Sequence, residues 1–215
     1  MHLKDELQNL ISGVGGHAGK DPVQTAAYYL RKSKETSRKS EESELFSKEQ
    51  EEKELITWVD SNNLWFRDHD ESRFIARGAE QRVYLHNDER FVYKLNDSIF
   101  YEYWLDYFHS LLLHNFFFPA TRYDLIGFLL ENGILYAVVK QPYIEITEAT
   151  DTTRVNSFLN ENGFLLKKNN DYFNAQAGII LEDLHDENVL SQNGVLFFVD
   201  TVFYLTHKFT NTAEL

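Results

Sequence analysis

Three oxygen-bearing side chains lie close together in sequence near the end of the chain, in the stretch DLHDENVLSQNGVLFFVD. Asp183 is followed by Asn188 after five residues and by Asp200 after twelve more. Because a separation of five fits within one loop, the first two side chains can turn toward a common point. The apolar run GVLFFV predicts a strand that delivers Asp200 to the same place. Phosphoryl transfer needs this kind of positioned charge, namely oxygen ligands for Mg²⁺ and a carboxylate beside the attacking hydroxyl.

A cation for the phosphates must come from elsewhere, and the strands upstream supply one. Three short strands are predicted around residues 74–78, 82–86 and 91–95, with Asn87-Asp88 as turn residues between the last two. Lys94 stands in the third strand, within the apolar sequence FVYKLN. A lysine on a central strand needs a partner, so a functional role for Lys94 is favoured over a surface position.

A helix, a hairpin and a second helix follow these strands. Asp97 or Ser98 is the predicted N-cap of a largely apolar helix, IFYEYWLDYFHSLLLHN, which is expected to be well buried. The strands YDLIGFLL and ILYAVVKQPYIE are joined by Asn132-Gly133, a strong hairpin signal. The second helix is predicted near residues 152–160 and ends before Gly163.

Three histidines near these elements are assigned structural roles. His109 and His114 lie on the apolar helix without the spacing of metal ligands to each other, so packing is favoured for both. His185 lies in the loop between Asp183 and Asn188 and is interpreted as a structural loop residue rather than a base. The predicted chemistry therefore depends on carboxylates, an amide and a lysine.

The composition limits the class of protein. The 215 residues suffice for one domain with an appendage, and 43% hydrophobic with 15% aromatic residues allow a packed core. A net charge of −13 argues against nucleic acid as the main partner, since phosphate backbones require Lys and Arg. The absence of cysteine excludes disulfides and thiol catalysis. Because no apolar run reaches the length of a membrane span and the N-terminus lacks a signal-peptide pattern, we expect a soluble, cytoplasmic protein without membrane partners.

The first part of the chain differs in character from the remainder. Residues 1–61 are predicted to form a helical appendage with a charged linker helix, and residues 62–215 the main domain. The stretch 31–44 is almost wholly polar, which is typical of a solvent-bridging helix or a tether. The loop GVGGHAGKD is similar to a phosphate-binding P-loop, but Val14 and Asp21 stand where that motif needs glycine and Ser or Thr. A flexible connection between helices is the favoured interpretation.

Taken in order, the segments resemble the protein-kinase-like superfamily. DLHDENVL is similar to the catalytic-loop pattern D-x-x-x-x-N, FFVD to the strand that ends in the magnesium-binding aspartate, and VYK to the strand with the phosphate-contacting lysine. RGAEQRVYL falls where the glycine-rich loop belongs, and KQPYIE where the hinge that receives adenine belongs. Over roughly residues 72–204, the combination is similar to the compact kinase-like domains in polyvalent proteins of bacterial phages and mobile elements.

The resemblance implies an α+β, minimal two-lobe kinase-like fold. An antiparallel N-lobe sheet with one helix would cover about residues 72–140, a hinge about 141–145 and a reduced C-lobe about 146–215. The implied cofactors are ATP and Mg²⁺. The implied roles are catalysis for Asp183 and Lys94, nucleotide binding for Gly78, Lys94, Glu102, Gln141 and Tyr143, and metal binding for Asn188 and Asp200. Glu102 would anchor Lys94, with Asp106 as the alternative partner.

Several positions depart from the family pattern. Leu181 replaces the histidine two residues before the catalytic aspartate, and DTV stands in place of D-F-G. Gly78 is the single glycine of the glycine-rich loop, with Glu80 and Val83 at the later glycine positions. Only fifteen residues follow Asp200, which leaves no room for an activation segment. Substrate recognition is therefore expected from elsewhere, for example from the first 60 residues.

Three interpretations of the function follow from these patterns. The leading hypothesis is an ATP- and Mg²⁺-dependent phosphotransferase whose acceptor is a protein or a small molecule, since DLHDENVL also resembles the corresponding stretch of aminoglycoside and choline-type kinases. The alternative is a catalytically inactive kinase-like module that binds a nucleotide or a partner. In a third interpretation the N-terminal helices are the functional part, as an assembly or tethering element. The oligomeric state is left open.

Overall fold

A computed structural model of the chain describes residues 2–13, 21–37, 47–78 and 81–210. Most of the P-loop-like loop, residues 14–20, and part of the polar stretch, residues 38–46, lie outside these ranges. The helices are α1 (Leu3–Ser12), α2 (Pro22–Ser37), α3 (Lys48–Asn62), α4 (Trp104–Phe117), α5 (Thr152–Glu161) and α6 (His207–Thr210). None of these helices is both long and apolar enough to cross a membrane.

Eleven strands are present in the described ranges, and their named pairings are all antiparallel. Those of the first half are β1 (Phe74–Arg77), β2 (Gln81–Leu85), β3 (Phe91–Asn96), β4 (Asp124–Glu131) and β5 (Ile134–Pro142). Those of the second half are β6 (Leu165–Lys168), β7 (Asp171–Asn174), β8 (Ile179–Glu182), β9 (Val189–Gln192), β10 (Val195–Phe198) and β11 (Val202–Leu205). The predicted strands of the first half and the predicted hairpin are confirmed.

The chain divides into two compact units. The sheet unit comprises residues 15–108 and 123–143, and the C-terminal unit comprises residues 1–14, 109–122 and 144–215. Helix α4 therefore contributes residues to both. The chain leaves the sheet unit after Tyr143, a position inside the segment predicted as the hinge. The assignment of a hinge function to residues 141–145 stays a prediction.

The sheet unit contains five strands in the order β1-β2-β3-β5-β4. Successive side chains of a strand point to opposite faces of a sheet. On one face Tyr84, Tyr93, Leu95 and Val138 form a buried apolar cluster. Lys94 stands between two members of this cluster in β3, so its side chain projects from the opposite face. The sheet thus separates an apolar packing face from a face that carries the candidate lysine.

The outer edge of β4 is covered by an extended segment that follows α3. Phe66 donates its backbone N–H to the carbonyl of Phe128 at 2.7 Å, and Phe128 donates to the carbonyl of Leu64 at 2.9 Å. Gly127 allows this approach, because a Cβ at that position would lie 2.7 Å from the Leu64 carbonyl oxygen. Helix α3 is therefore continuous with a segment that closes the sheet edge.

The C-terminal unit contains a four-stranded sheet, β11-β8-β7-β6, and the hairpin β9-β10. An aromatic cluster joins α4 to these strands, with Phe117 stacked on Phe203 and Phe118 stacked on Phe198 at centroid distances of 5.6 and 4.2 Å. Helix α1 also belongs to this unit, and the side chains of Lys4 and Gln8 donate to backbone carbonyls of α6. The predicted appendage is thus divided between the units, since α2 and α3 belong to the sheet unit.

Helix α4 begins at Trp104, so the prediction of an N-cap at Asp97 or Ser98 is wrong. Asp97 instead accepts a hydrogen bond from the backbone of Ile99, and Ser98 has a φ of 55°, both of which are features of a tight turn. A side chain distant in sequence forms a hydrogen bond with the backbone at the N-terminus of α4. The buried carboxylate of Glu51 in α3 accepts a hydrogen bond from the backbone N–H of Leu105 at 3.1 Å.

Burial of Glu51 predicts a pH dependence of folding stability. Burial raises the pKa of its carboxyl above the usual 4.5; the charge of Asp106 adds to this and that of Lys34 opposes it. The native state then binds the proton more tightly than the unfolded state, so this contribution to stability is lost as the pH rises through the folded pKa. We expect Glu51→Gln to gain stability relative to the wild type as the pH rises above about 4.5 in urea unfolding experiments. A difference in free energy of unfolding that stays constant with pH would contradict the prediction.

Candidate active site

The loop after β8 holds Asp183 in an unusual backbone conformation. Its φ is 66°, in the left-handed region that few residues other than glycine adopt. The loop is closed by backbone hydrogen bonds from His185 to Asp183 at 3.1 Å and from Asn188 to His185 at 3.0 Å. Such a conformation costs on the order of 1 kcal/mol, and aspartate is among the residue types that tolerate it. The carboxylate of Asp183 is exposed at the surface of the C-terminal unit.

Asn188 contacts Asp183 directly, as the spacing of five predicts. Its side-chain Nδ2 donates to the backbone carbonyl of Asp183 at 2.8 Å and to its carboxylate Oδ2 at 2.9 Å. Asn188 is only 9% exposed, so the amide is held in a fixed orientation. With Nδ2 directed at Asp183, the other amide atom, Oδ1, points away from this contact and has the chemistry of a hard-metal ligand.

Asp200 follows β10 and reaches the same loop through the backbone. The carbonyl of Asn188 accepts hydrogen bonds from the N–H groups of Val199 and Asp200 at 2.9 and 3.4 Å. The hairpin β9-β10, which turns at Asn193 and Gly194 with φ of 50° and 76°, returns the chain to this point. The structure therefore brings Asp183, Asn188 and Asp200 together.

The surroundings of this group are acidic. Asp171 in β7 lies near it, with its carboxylate 3.5 Å from the backbone nitrogen of Asp183. Burial, and then the charges of Asp171 and Asp183, raise the pKa of Glu182. A negative potential of this kind favours binding of a cation. Sequence reasoning missed Asp171, because its proximity depends on the pairing of β7 with β8.

The side chain of His185 contacts both Asp183 and Asn188. Its Nε2 lies 3.3 Å from Oδ1 of Asp183 and 3.2 Å from Nδ2 of Asn188. When protonated, the imidazole forms an ion pair with the Asp183 carboxylate. The structural role predicted for His185 is compatible with its backbone bonds, and its ring in addition orients Asp183.

A buried histidine supports the strand that follows Asp200. His114 in α4 is fully buried, and its Nδ1 and Nε2 lie 2.8 Å from Oγ1 of Thr201 and 2.9 Å from the carbonyl of Thr121. Thr121 in turn donates its hydroxyl proton to the carbonyl of Phe198 at 2.5 Å. The predicted packing role of His114 is confirmed, and its hydrogen bonds fix the backbone on both sides of Asp200.

In the sheet unit, Lys94 lies at the centre of the sheet. Its Cα is paired with Val83 in β2 and Val139 in β5, and the residue is 5% exposed. The Nζ lies 5.4 Å from the centre of the Tyr123 ring, within the range of a cation–π interaction. Tyr123 was missed from the sequence because it precedes β4 and shares no local pattern with Lys94.

The other residues predicted to bind nucleotide also lie in the sheet unit. Gln141 is buried opposite Val92, and it shares the sheet face of Lys94 by strand alternation. Tyr143 is 48% exposed and donates its backbone N–H to the Arg90 carbonyl at 2.9 Å. Gly78, which follows β1, donates its N–H to the carbonyl of Gln81 at 2.9 Å, and a Cβ on Gly78 would make only ordinary contacts. The backbone at Gly78 therefore does not itself require glycine.

A family model described as "Serine/Threonine/Tyrosine Kinase found in polyvalent proteins" matches residues 48–207. The chain belongs to this kinase family. The resemblance stated from the sequence and the predicted α+β kinase-like fold are thereby confirmed. Neither the curated proteins nor the solved structures contain a match to the chain. The matched region begins at the first residue of α3, which the sequence placed in the appendage, and the domain boundary at residue 62 stays a prediction.

The carboxylates predicted to anchor Lys94 lie at the start of α4. Glu102 is exposed and precedes the helix by two residues. Asp106 is partly buried in the first turn, and burial raises the pKa of its carboxyl, while Lys34 in α2 lowers it and Glu102 raises it further. The charge of Glu102 therefore acts on the carboxyl of Asp106. The choice between them as partner of Lys94 stays a prediction.

A second group of side chains that could ligate a metal lies in the sheet unit. His69, Glu71 and Glu131 have ligand atoms within 4.8 Å of one another. Arg82 already compensates their charge, with guanidinium nitrogens 3.5 Å from Glu71 and 2.7 Å from Glu131. We therefore interpret this cluster as an ion-pair network that ties β2 to β4 rather than as a metal site.

Proposed function

We propose that the chain transfers the γ-phosphoryl group of ATP to a hydroxyl group, with Mg²⁺ as cofactor. The observation that supports this most strongly is the convergence of Asp183, Asn188 and Asp200 on one loop and hairpin. In the reaction the acceptor oxygen forms a bond to the γ-phosphorus, the bond between that phosphorus and the bridging oxygen breaks, and ADP leaves. The acceptor's proton passes to the carboxylate of Asp183, which acts as general base.

Asn188 and Asp200 would hold the magnesium ion. Their donor set consists of one amide oxygen and one carboxylate, which suits a hard cation that keeps waters and substrate phosphates as its other ligands. The acidic surroundings formed by Asp171 and Glu182 further favour a divalent cation at this position. When bound, the ion would neutralise charge on the phosphates.

The sheet unit would bind the nucleotide. Lys94 would contact the phosphates, and its burial and cation–π contact with Tyr123 keep its side chain ordered before ATP arrives. Gln141 and Tyr143 would lie at the adenine, Gly78 in the loop over the phosphates, and Glu102 or Asp106 would anchor Lys94. The family's description names serine, threonine and tyrosine, which supports a protein hydroxyl as acceptor over a small molecule.

Thermal stability in the presence of ATP tests this proposal. Binding to the native state alone stabilises it by about 2.7 kcal/mol at a ligand concentration of 100 Kd. We expect the midpoint of unfolding of the full chain to rise by about 5 °C with ATP and Mg²⁺, and by much less with ATP alone. The Asp200→Ala variant is expected to lose the magnesium-dependent part of the shift.

Asp186→Ala is the matched control, because Asp186 is an exposed aspartate of the same loop. It should keep the full shift. A shift that is independent of magnesium and unchanged in Asp200→Ala would favour the non-catalytic nucleotide-binding module over the phosphotransferase. The absence of any shift at millimolar ATP would refute nucleotide binding altogether.

A further inference from the structure

Two side chains of helix α3, one helical turn apart, form hydrogen bonds with the backbone between β3 and the first turn of α4. Lys48 donates from Nζ to the carbonyl oxygens of Ser98 and Tyr101 at 2.5 and 3.0 Å. Glu51 accepts from the backbone N–H of Leu105 at 3.1 Å. We call Lys48 and Glu51 the α3 clamp. Because one side chain supplies a cation to carbonyl groups and the other an anion to a helix N-terminus, the clamp fixes both the turn and the first residue pair of α4.

The clamp places ionisable side chains in buried or partly buried positions, where an apolar side chain would have a lower desolvation free energy. Glu51 is fully buried, and among the described residues its Oε1 has no hydrogen-bond partner. Lys48 is partly buried, and desolvation lowers its pKa although several carboxylates, Asp97 foremost, oppose that shift. Replacing buried charges by well-packed apolar residues is often neutral or stabilising. Stability alone therefore does not account for this pair, and its contacts constrain the residues at the start of α4.

The held segment carries the two carboxylates that are candidates to anchor Lys94. In the sequence, Glu102 lies between Tyr101, whose carbonyl accepts from Lys48, and Leu105, whose N–H donates to Glu51. Asp106 directly follows Leu105. A helix rises 1.5 Å and turns by about 100° per residue, so a slip of its first turn would redirect both carboxylates. We propose that Lys48 and Glu51 are positioning residues for phosphoryl transfer, acting by fixing the start of α4. This inference rests on the proposed phosphotransferase function.

The test uses the full chain with Lys48→Met, Glu51→Leu and Glu51→Gln. Met and Leu remove the polar contacts and keep side-chain bulk, while Gln keeps an oxygen that can accept from Leu105. Lys53→Met and Glu52→Gln on the same helix are the matched controls; Lys53 is exposed and Glu52 partly so. Two quantities are measured: hydrogen exchange of the backbone amides in the first turn of α4, and kcat and KM for magnesium-dependent ATP hydrolysis.

We expect faster exchange of the first turn of α4 in Lys48→Met and Glu51→Leu, with kcat lowered about 10- to 100-fold and KM for ATP changed by less than about threefold. Glu51→Gln should restore most of kcat, and both controls should match the wild type. Because a loss of folded protein would also lower the apparent kcat and leave KM unchanged, kcat is divided by the folded fraction of each variant, measured by circular dichroism under the assay conditions.

Three results would overturn the inference, and they separate its failure from that of the proposed function. Unchanged exchange in Lys48→Met and Glu51→Leu would show that the clamp does not hold α4. Faster exchange with wild-type kcat would show that the clamp is structural only. Faster exchange in the two variants, together with a wild-type chain that neither binds nor hydrolyses ATP, would refute the proposed function and with it the positioning role, although the clamp would still hold the helix.

Discussion

Replacing Asp183 with asparagine is expected to lower the rate of phosphoryl transfer by about 10³-fold, the contribution typical of a general base. Asparagine preserves the size of the side chain, tolerates the left-handed backbone of this position and retains an oxygen that can accept from Asn188. It cannot take a proton from the acceptor hydroxyl. The rate at saturating ATP and Mg²⁺, followed by release of ADP, measures the effect.

The matched control is Asp186→Asn, which removes the same charge from an exposed position of the same loop. This variant should keep the wild-type rate. The magnesium-dependent thermal shift should persist in Asp183→Asn, because the proposed metal ligands are Asn188 and Asp200. A wild-type rate in Asp183→Asn would exclude Asp183 as the base, and a lost shift would assign it to nucleotide or metal binding instead.

Replacing His114 with leucine should destabilise the chain by about 2–4 kcal/mol, because it removes the hydrogen bonds of the imidazole to two buried partners. The partners are the hydroxyl of Thr201 and the carbonyl of Thr121, both in buried residues of the C-terminal unit. Urea unfolding of the wild type and the variant at the same pH measures the difference in free energy of unfolding.

A double-mutant cycle with Thr201→Val supplies the control. Valine removes the hydroxyl with little change in shape, so the double variant no longer leaves that group buried without its partner. The double variant should therefore be destabilised by less than the sum of the two single variants. Strict additivity would show that the contact between His114 and Thr201 does not contribute to stability.

Both predictions concern one connected structure. His114 holds Thr201, the residue after Asp200, and the backbone of Asp200 bonds to Asn188, whose side chain bonds to Asp183. A rigid support behind side chains that bind or react keeps them within the narrow geometry that catalysis requires. The candidate active site is therefore fixed from the interior of the C-terminal unit as well as by its own loop.

Short-range features of this protein were predictable from the sequence. Asp183 and Asn188 are five residues apart, so a single loop brings them together in most arrangements of the chain. The hairpin at Asn132-Gly133 follows from the left-handed φ of 52° and 79° that these residue types adopt readily. The end of α5 before Gly163, which has a φ of 81°, has the same local cause. The ordered set of segments was also sufficient to recognise the kinase family.

Long-range contacts could not be predicted in this way. Glu51 accepts a hydrogen bond from the backbone of Leu105, 54 residues away in sequence. His114 forms a hydrogen bond with Thr201, which is 87 residues away. The local sequence favoured an N-cap of α4 at Asp97 or Ser98. The helix instead begins at Trp104, and Glu51 can accept from its N-terminus because α3 packs there. Asp171 joins the site only through the pairing of β7 with β8. Local conformational preferences act within a few residues, whereas these contacts are selected by the packing of the whole unit, which a single sequence does not display.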